Sequence, residues 1–216
     1  MKRSPLSLPT SSARLARCAA GTIACAALVG SMLAGPPVAA ASARTGLKAV
    51  AQIAPVAGCP GASAVSGAAG VTVPAATPTT TQHTDTNTPF GTITDTTTIC
   101  VYGAPTSLAR MNYVLIVFSH LSRSVPTAQV QPYLKQQLAA TTSKMPPGVK
   151  WSYRFGTERG VPNLWITGSA TIGTFHLSFI ASFGYRGTKV AGAEGIGMSE
   201  ARVDAVEGVA FNAIGL

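Results

Sequence analysis

A two-layer α+β fold, a mainly antiparallel sheet with helices packed on one face, is what the sequence predicts for residues 59–216. Three observations carry that expectation. Between Val149 and Phe183 apolar and polar residues alternate, the period-2 mark of half-buried strands. The run Tyr113-Val114-Leu115-Ile116-Val117-Phe118 is continuously apolar, as a central strand covered on both sides would be. Segments with helix start and stop signals lie before, between and after these strands.

Taken in order, Cys59-Pro60 opens a short helix that Gly70 closes, with proline at the start and glycine just past the end. Its apolar residues Ala62, Val65 and Ala69 fall at helical spacing. Residues 72–98 hold thirteen threonines in twenty-seven positions, interleaved with Pro, Asn and Asp. Threonine suits strands, and such mixtures also form solvated, O-glycosylated spacers. The reading here is a Thr-rich loop at 72–92, with Thr92 to Gly103 joining the sheet through Ile99, Val101 and Tyr102. After the 113–118 strand, a helix is expected from Pro132, at its first turn, to about Ser143. Leu134, Leu138 and Thr141 would line its inner face, and Met145-Pro146-Pro147-Gly148 would stop it.

The meander follows. Val149, Trp151, Tyr153 and Phe155 point one way, and Lys150, Ser152 and Arg154 the other. A turn at Glu158-Arg159-Gly160 leads to a strand from Asn163 to Ala170. Phe175, Leu177, Phe179, Ala181 and Phe183 then share a face, with His176, Ser178, Ile180 and Ser182 opposite. A short fourth strand is expected at Thr188 to Ala191, and Gly195-Ile196-Gly197 reads as a mobile connection. The last helix would be capped by Ser199, stapled by Met198 and Val203, and buried along Val203, Val206, Ala210 and Ala213.

Residues 1–43 read as a signal peptide. Lys2, Arg3, Arg14 and Arg17 form its basic start, an uncharged stretch follows from Cys18, and Ala41-Ser42-Ala43 supplies a cleavage site before Arg44. Residues 44–58 read as a flexible tether. Arg17 directly before Cys18, and the short apolar stretch before Cys25, disfavour a lipobox. Membrane contact would then require an uncleaved signal or a lipid anchor. The expected localisation is secreted or extracellular, in association with the cell envelope.

Removing the signal takes four of the sixteen Lys/Arg and none of the seven Asp/Glu, so the formal charge falls from +9 to +5. No window clusters the remaining cations, which argues against nucleic acid. Cysteines fall to Cys59 and Cys100, and an even pair in an exported chain reads as a disulfide. Closing a loop of about 40 residues is worth about 4 kcal/mol in the chain-entropy model.

These features resemble small secreted or lipid-anchored domains of actinobacteria: Cys59 opening a helix closed by Gly70, Cys100-Val101-Tyr102 in a strand, and a terminal helix after a meander. The likeness covers residues 59–216. It implies the same fold and disulfide, and it brings no catalytic residues.

The inventory for chemistry is thin. No His-x-x-x-His and no G-x-S-x-G occurs, so neither a metal, a cofactor nor a nucleophile elbow is expected. Ser119 and His120 are adjacent on a strand and face opposite ways. Gly195-Ile196-Gly197 lacks a third glycine and is followed by Glu200, which would oppose a phosphate. The candidate binding residues are Lys150, Arg154, Trp165, His176 and Ser178, with Ser152 and Ser182, on the polar face of the meander. An exposed indole among hydroxyls and cations would suit an anionic cell-wall polymer, a peptide or a sugar. The expected function is a non-enzymatic exported binding domain. The alternative is a secreted hydrolase with a non-contiguous site around His120 or His176.

Overall fold

Each strand of the sheet runs antiparallel to its neighbours, in the order β1-β2-β3-β7-β6-β5-β4. The computed structural model describes residues 54–103, 113–142, 149–172 and 175–216. The expected signal peptide and most of the tether lie outside the described residues. Among these, the strands are β1 (Pro78–Thr88), β2 (Gly91–Tyr102), β3 (Tyr113–Leu121), β4 (Val149–Glu158), β5 (Val161–Ile172), β6 (Phe175–Arg186) and β7 (Lys189–Ile196). The helices are α1 (Ala62–Ala69), α2 (Thr127–Thr142) and α3 (Glu200–Ile214). Two meanders, β1-β2-β3 and β4-β5-β6-β7, meet where β7 pairs with β3, which leaves β1 and β4 as the edges.

The mainly antiparallel sheet is as expected, but its cover is not on one face. Val114, Ile116 and Phe118 share a core with Val65 and Ala69 of α1 and Val203, Val206 and Phe211 of α3. Leu115 and Val117, pointing the other way, share a core with Val130, Leu134 and Leu138 of α2. A strand apolar on both sides loses stability wherever either side stays wet, so the central strands require helices on both faces. The helix α3 comes close to its face because β6 and β7 present glycines there. A Cβ on Gly184 would lie 2.2 Å from the Phe211 ring, and one on Gly195 would lie 2.6 Å from Met198 Sδ.

The Thr-rich stretch is a second departure. Residues 78–88 do not loop out but pair along β2. Thr80 meets Thr98 at 3.1 Å, Thr84 meets Thr94 at 2.9 Å, and Gln82 donates to Thr96 at 3.1 Å. Cross-strand hydroxyl pairs of this kind favour a hairpin over a solvated coil.

Other boundaries shift for local reasons. The helix α2 begins at Thr127, so Pro132 lies inside it, where it removes one backbone donor. Pro126 instead anchors the first turn, its carbonyl accepting from Gln129 and Val130 N–H. Leu134 and Leu138 are buried as expected; the Thr141 side chain lies outside the described residues. The strand β7 runs to Ile196 and absorbs Gly195 and Ile196, both buried. In α3, Phe211 is buried where Ala213 was expected, and Ala213 is exposed. Ser199 precedes the helix in extended conformation without a side-chain cap bond. The β4–β5 turn is a tight pair with positive φ at Arg159 (49°) and Gly160 (77°), a twist that suits a two-residue hairpin.

Cys59 and Cys100 form the expected disulfide, with Cα atoms 5.6 Å apart. It ties the start of α1 to β2, and Tyr102 Oη donates to Pro60 O at 2.7 Å beside it. Residues 54–58 are not a free tether either. The Val56 N–H donates to Thr98 Oγ1 at 2.8 Å, and Val56 and Ala57 pack on the α1–α3 core.

Candidate functional site

Strand register decides which polar side chains share a face. Lys150 pairs with Ser169 and Ser169 with Ser178; Ser152 pairs with Thr167; Arg154 pairs with Trp165 and Trp165 with Ser182; Thr171 pairs with His176. Residues directly opposite in an antiparallel ladder point to the same side. The register therefore brings Lys150, Ser152, Arg154, Trp165, His176, Ser178 and Ser182 onto one face.

That face is not the bare side of the sheet. The α3 helix crosses it with Glu200, Asp204 and Glu207, spaced i, i+4, i+7 and so on one stripe. Arg154 forms an ion pair with Glu200 and lays its guanidinium over the Trp165 ring at 3.8 Å. Trp165 Nε1 donates to Asp204 Oδ1 at 2.9 Å. Deeper in, Asn163 Nδ2 and Ser182 Oγ donate to Glu207 Oε2 at 2.9 and 2.8 Å. Trp165 is only 3% exposed, so the expected indole platform does not exist. Its ring is sandwiched between Arg154 and the terminal helix, because an indole buried with a satisfied N–H is better placed than one in water.

Burial dominates the ionisation of this cluster. It pushes Glu207 up to about 8, against the hydrogen bonds from Ser182 and Asn163 and with the added repulsion of Asp204 and Glu158. The acidic stripe was open to view in the sequence as Glu200, Asp204 and Glu207.

What remains open lies at the other end of β4 and β5. Lys150, Ser152, Ser169, His176 and Ser178 are exposed. A shallow depression of about 410 Å³ is lined by Lys150, Trp151, Ser152, Thr167, Gly168 and Ser169. Ser152 and Thr167 hydroxyls pair across it at 2.8 Å. Of the candidate binding residues, Lys150, His176 and Ser178 thus stay accessible, and Arg154 and Trp165 are engaged by α3.

Ser119 is fully buried and His120 is exposed on the opposite face. Ser119 joins a cluster that the sequence reading did not find. Its hydroxyl lies 2.7 Å from Thr97 Oγ1, which donates to Asp95 Oδ2 at 2.9 Å, and His83 pairs with Asp95 across β1 and β2. Asp95 is raised to about 6 by burial, which outweighs the bonds from Thr97 and Ser119 and the attraction of His83. With Ser119 and Asp95 buried, this group fastens β2 to β3. Among the described residues no group of three His, Cys, Asp or Glu could hold a metal ion, and no helix is long and apolar enough to cross a membrane. No family model, no curated protein and no solved structure matches the chain.

Proposed function

We propose that the chain is an exported, non-enzymatic binding domain of the cell envelope that holds an anionic polymer on the uncovered end of the β4–β6 face. The observation that carries this reading is the row Lys150–Ser169–Ser178, one cation and two hydroxyls in direct cross-strand register beside an open depression. A cation flanked by hydroxyls suits repeated carboxylate or phosphate groups joined by polar linkages. The basic start of the sequence and the Cys59–Cys100 disulfide support export.

The test is retention of the purified chain on immobilised polygalacturonate, an anionic glycan, against neutral dextran. Retention on the anionic matrix should weaken as salt rises, since exposed charges are screened. Lys150→Ala should elute severalfold earlier, and Ser169→Ala somewhat earlier. Equal retention on dextran would replace the anionic polymer by a neutral sugar. No retention on either, or a Lys150→Ala protein that behaves as wild type, would overturn the proposal.

A further inference from the structure

The two edges of the sheet are not built alike. At one edge, β1 begins at Pro78, shifts register between Asp85 and Thr88, and carries only polar side chains beyond that proline. Prolines, irregularities and polar residues are the usual means by which an edge is kept from pairing with another chain. At the other edge, β4 has no proline, and its ten residues pair with β5 without a break. Among the described residues no strand pairs with its outer side.

The hairpin that joins β4 to β5 determines which backbone groups face outward. Positive φ at Arg159 and Gly160 marks a two-residue turn, whose closing pair, Glu158 with Val161, exchanges both hydrogen bonds. Every second residue back from Glu158 bonds toward β5 in the same way. The N–H and C=O groups of Val149, Trp151, Tyr153, Phe155 and Thr157 therefore point away from the sheet. The side chains of these five residues share the face on which Trp151 and Phe155 pack against the α2 core. Trp151, Tyr153 and Phe155 stack along it, with successive ring centroids 6.1 and 5.9 Å apart. Tyr153, at the middle, is 38% exposed, one of two large hydrophobic residues so exposed among the described residues.

We propose that β4 pairs antiparallel with β4 of a second copy, about a two-fold axis at Tyr153, so that two sheets join into one. The strand's own sequence selects a second copy as the occupant. With Tyr153 opposite its counterpart, Trp151 lies opposite Phe155 of the second copy and Phe155 opposite Trp151. The three rings of each copy then form one ladder across the joint, and aromatic cross-strand pairs stabilise such a joint. On the other face Ser152 meets Arg154 and Lys150 meets Gly156, so no two cations are opposed.

The neighbouring registers are worse. Because every second residue points outward, the partner can slide only by two. A slide one way sets Lys150 opposite Arg154 twice. A slide the other way sets Arg154 opposite itself and breaks the ladder by placing Trp151 opposite Thr157. It gains Lys150 opposite Glu158, but that carboxylate already faces Arg159 at 3.8 Å. Like charges directly opposite destabilise a strand pair. A two-fold contact uses the same edge on both copies and is closed, so it ends at a dimer.

Sedimentation equilibrium of the whole purified chain, from about 1 to about 100 μM, tests the proposal. The mass should rise from one copy to two. Tyr153→Lys sets two ammonium groups against each other on the axis and should weaken the dimer at least tenfold. Thr81→Lys, on the β1 edge, should leave it within threefold of wild type. Under air, Tyr153→Cys should link into a covalent dimer, since opposed Cα atoms about 5.5 Å apart admit a disulfide. Thr157→Cys on the same edge should stay unlinked, its two copies standing about 27 Å apart. A chain that stays monomeric at the top of the range overturns the proposal and leaves the edge to another extended segment. A dimer dissolved by Thr81→Lys and not by Tyr153→Lys, or equal linking of the two cysteine variants, overturns it as well. The Lys150–Ser169–Ser178 row lies on the other face of the sheet, so polygalacturonate retention is read separately.

Discussion

The indole N–H of Trp165, in the middle of the sheet's polar face, donates to Asp204 of the terminal helix at 2.9 Å, beneath the guanidinium of Arg154. This contact converts a surface that alternation alone marks as wet into one covered by the last fifteen-residue helix.

Removing the contact should loosen the helix. Trp165→Phe keeps an aromatic ring, though a smaller one, and deletes the donor, and Asp204→Ala deletes the acceptor. A double-mutant cycle in urea is expected to give a coupling of about 1.5–3 kcal/mol, the range for a hydrogen bond to a charged group. A coupling near zero would mean that Arg154 and the apolar stripe hold the helix unaided.

Stability should fall as pH rises. Glu194 and Glu207 both have folded-state values near 8, well above the ordinary carboxylate range. The folded state therefore binds these protons more tightly, and stability is full below about 4.5, where the unfolded carboxyls are also protonated. It is lost progressively as pH climbs toward 8, by a few kcal/mol per group. Thermal melts at pH 5, 6.5 and 8 should show a falling Tm, and Glu194→Gln or Glu207→Gln should each flatten the decline. A Tm that rises over this range would contradict the assignment.

How far this arrangement was legible depends on which residues are considered. Alternation placed Lys150, Ser152, His176 and Ser178 on one face correctly, because period 2 is a property of the strand alone. The same rule could not say that the face is covered, since that depends on a helix some fifty residues away in sequence meeting it through Glu200, Asp204 and Glu207. The apolar run at 113–118 did imply cover on both sides of β3. The Thr-rich stretch misled because threonine composition is shared by coils and strands, and only the pairing of Thr80 with Thr98 and Thr84 with Thr94 decides between them. Glu194 gave no signal at all, because the sequence places the end of the fourth strand at Ala191, ahead of it.

The close approach of α3 predicts an intolerant glycine. Gly184→Ala would drive its Cβ to 2.2 Å from the Phe211 ring and 3.0 Å from Val161. Overpacking of this kind costs about 1–3 kcal/mol. Phe211→Leu, harmful by itself, should recover part of the loss when combined with Gly184→Ala, and chemical denaturation of the three variants checks it.

Opening the disulfide should cost about 4 kcal/mol in the chain-entropy account for a separation of 41 residues. Cys59→Ser with Cys100→Ser should lower the urea midpoint accordingly, and adding reductant to wild type should reproduce the shift.

The same bond sets a route for mechanical load. A pull on the chain ahead of Cys59 passes through sulfur straight into β2, which is paired on both sides, by β1 and β3. Residues 60–99, which contain α1 and the edge strand β1, are bypassed and carry none of the tension. A domain held to a surface by its leading end would thus be gripped by an interior strand, and its most easily peeled edge would be spared.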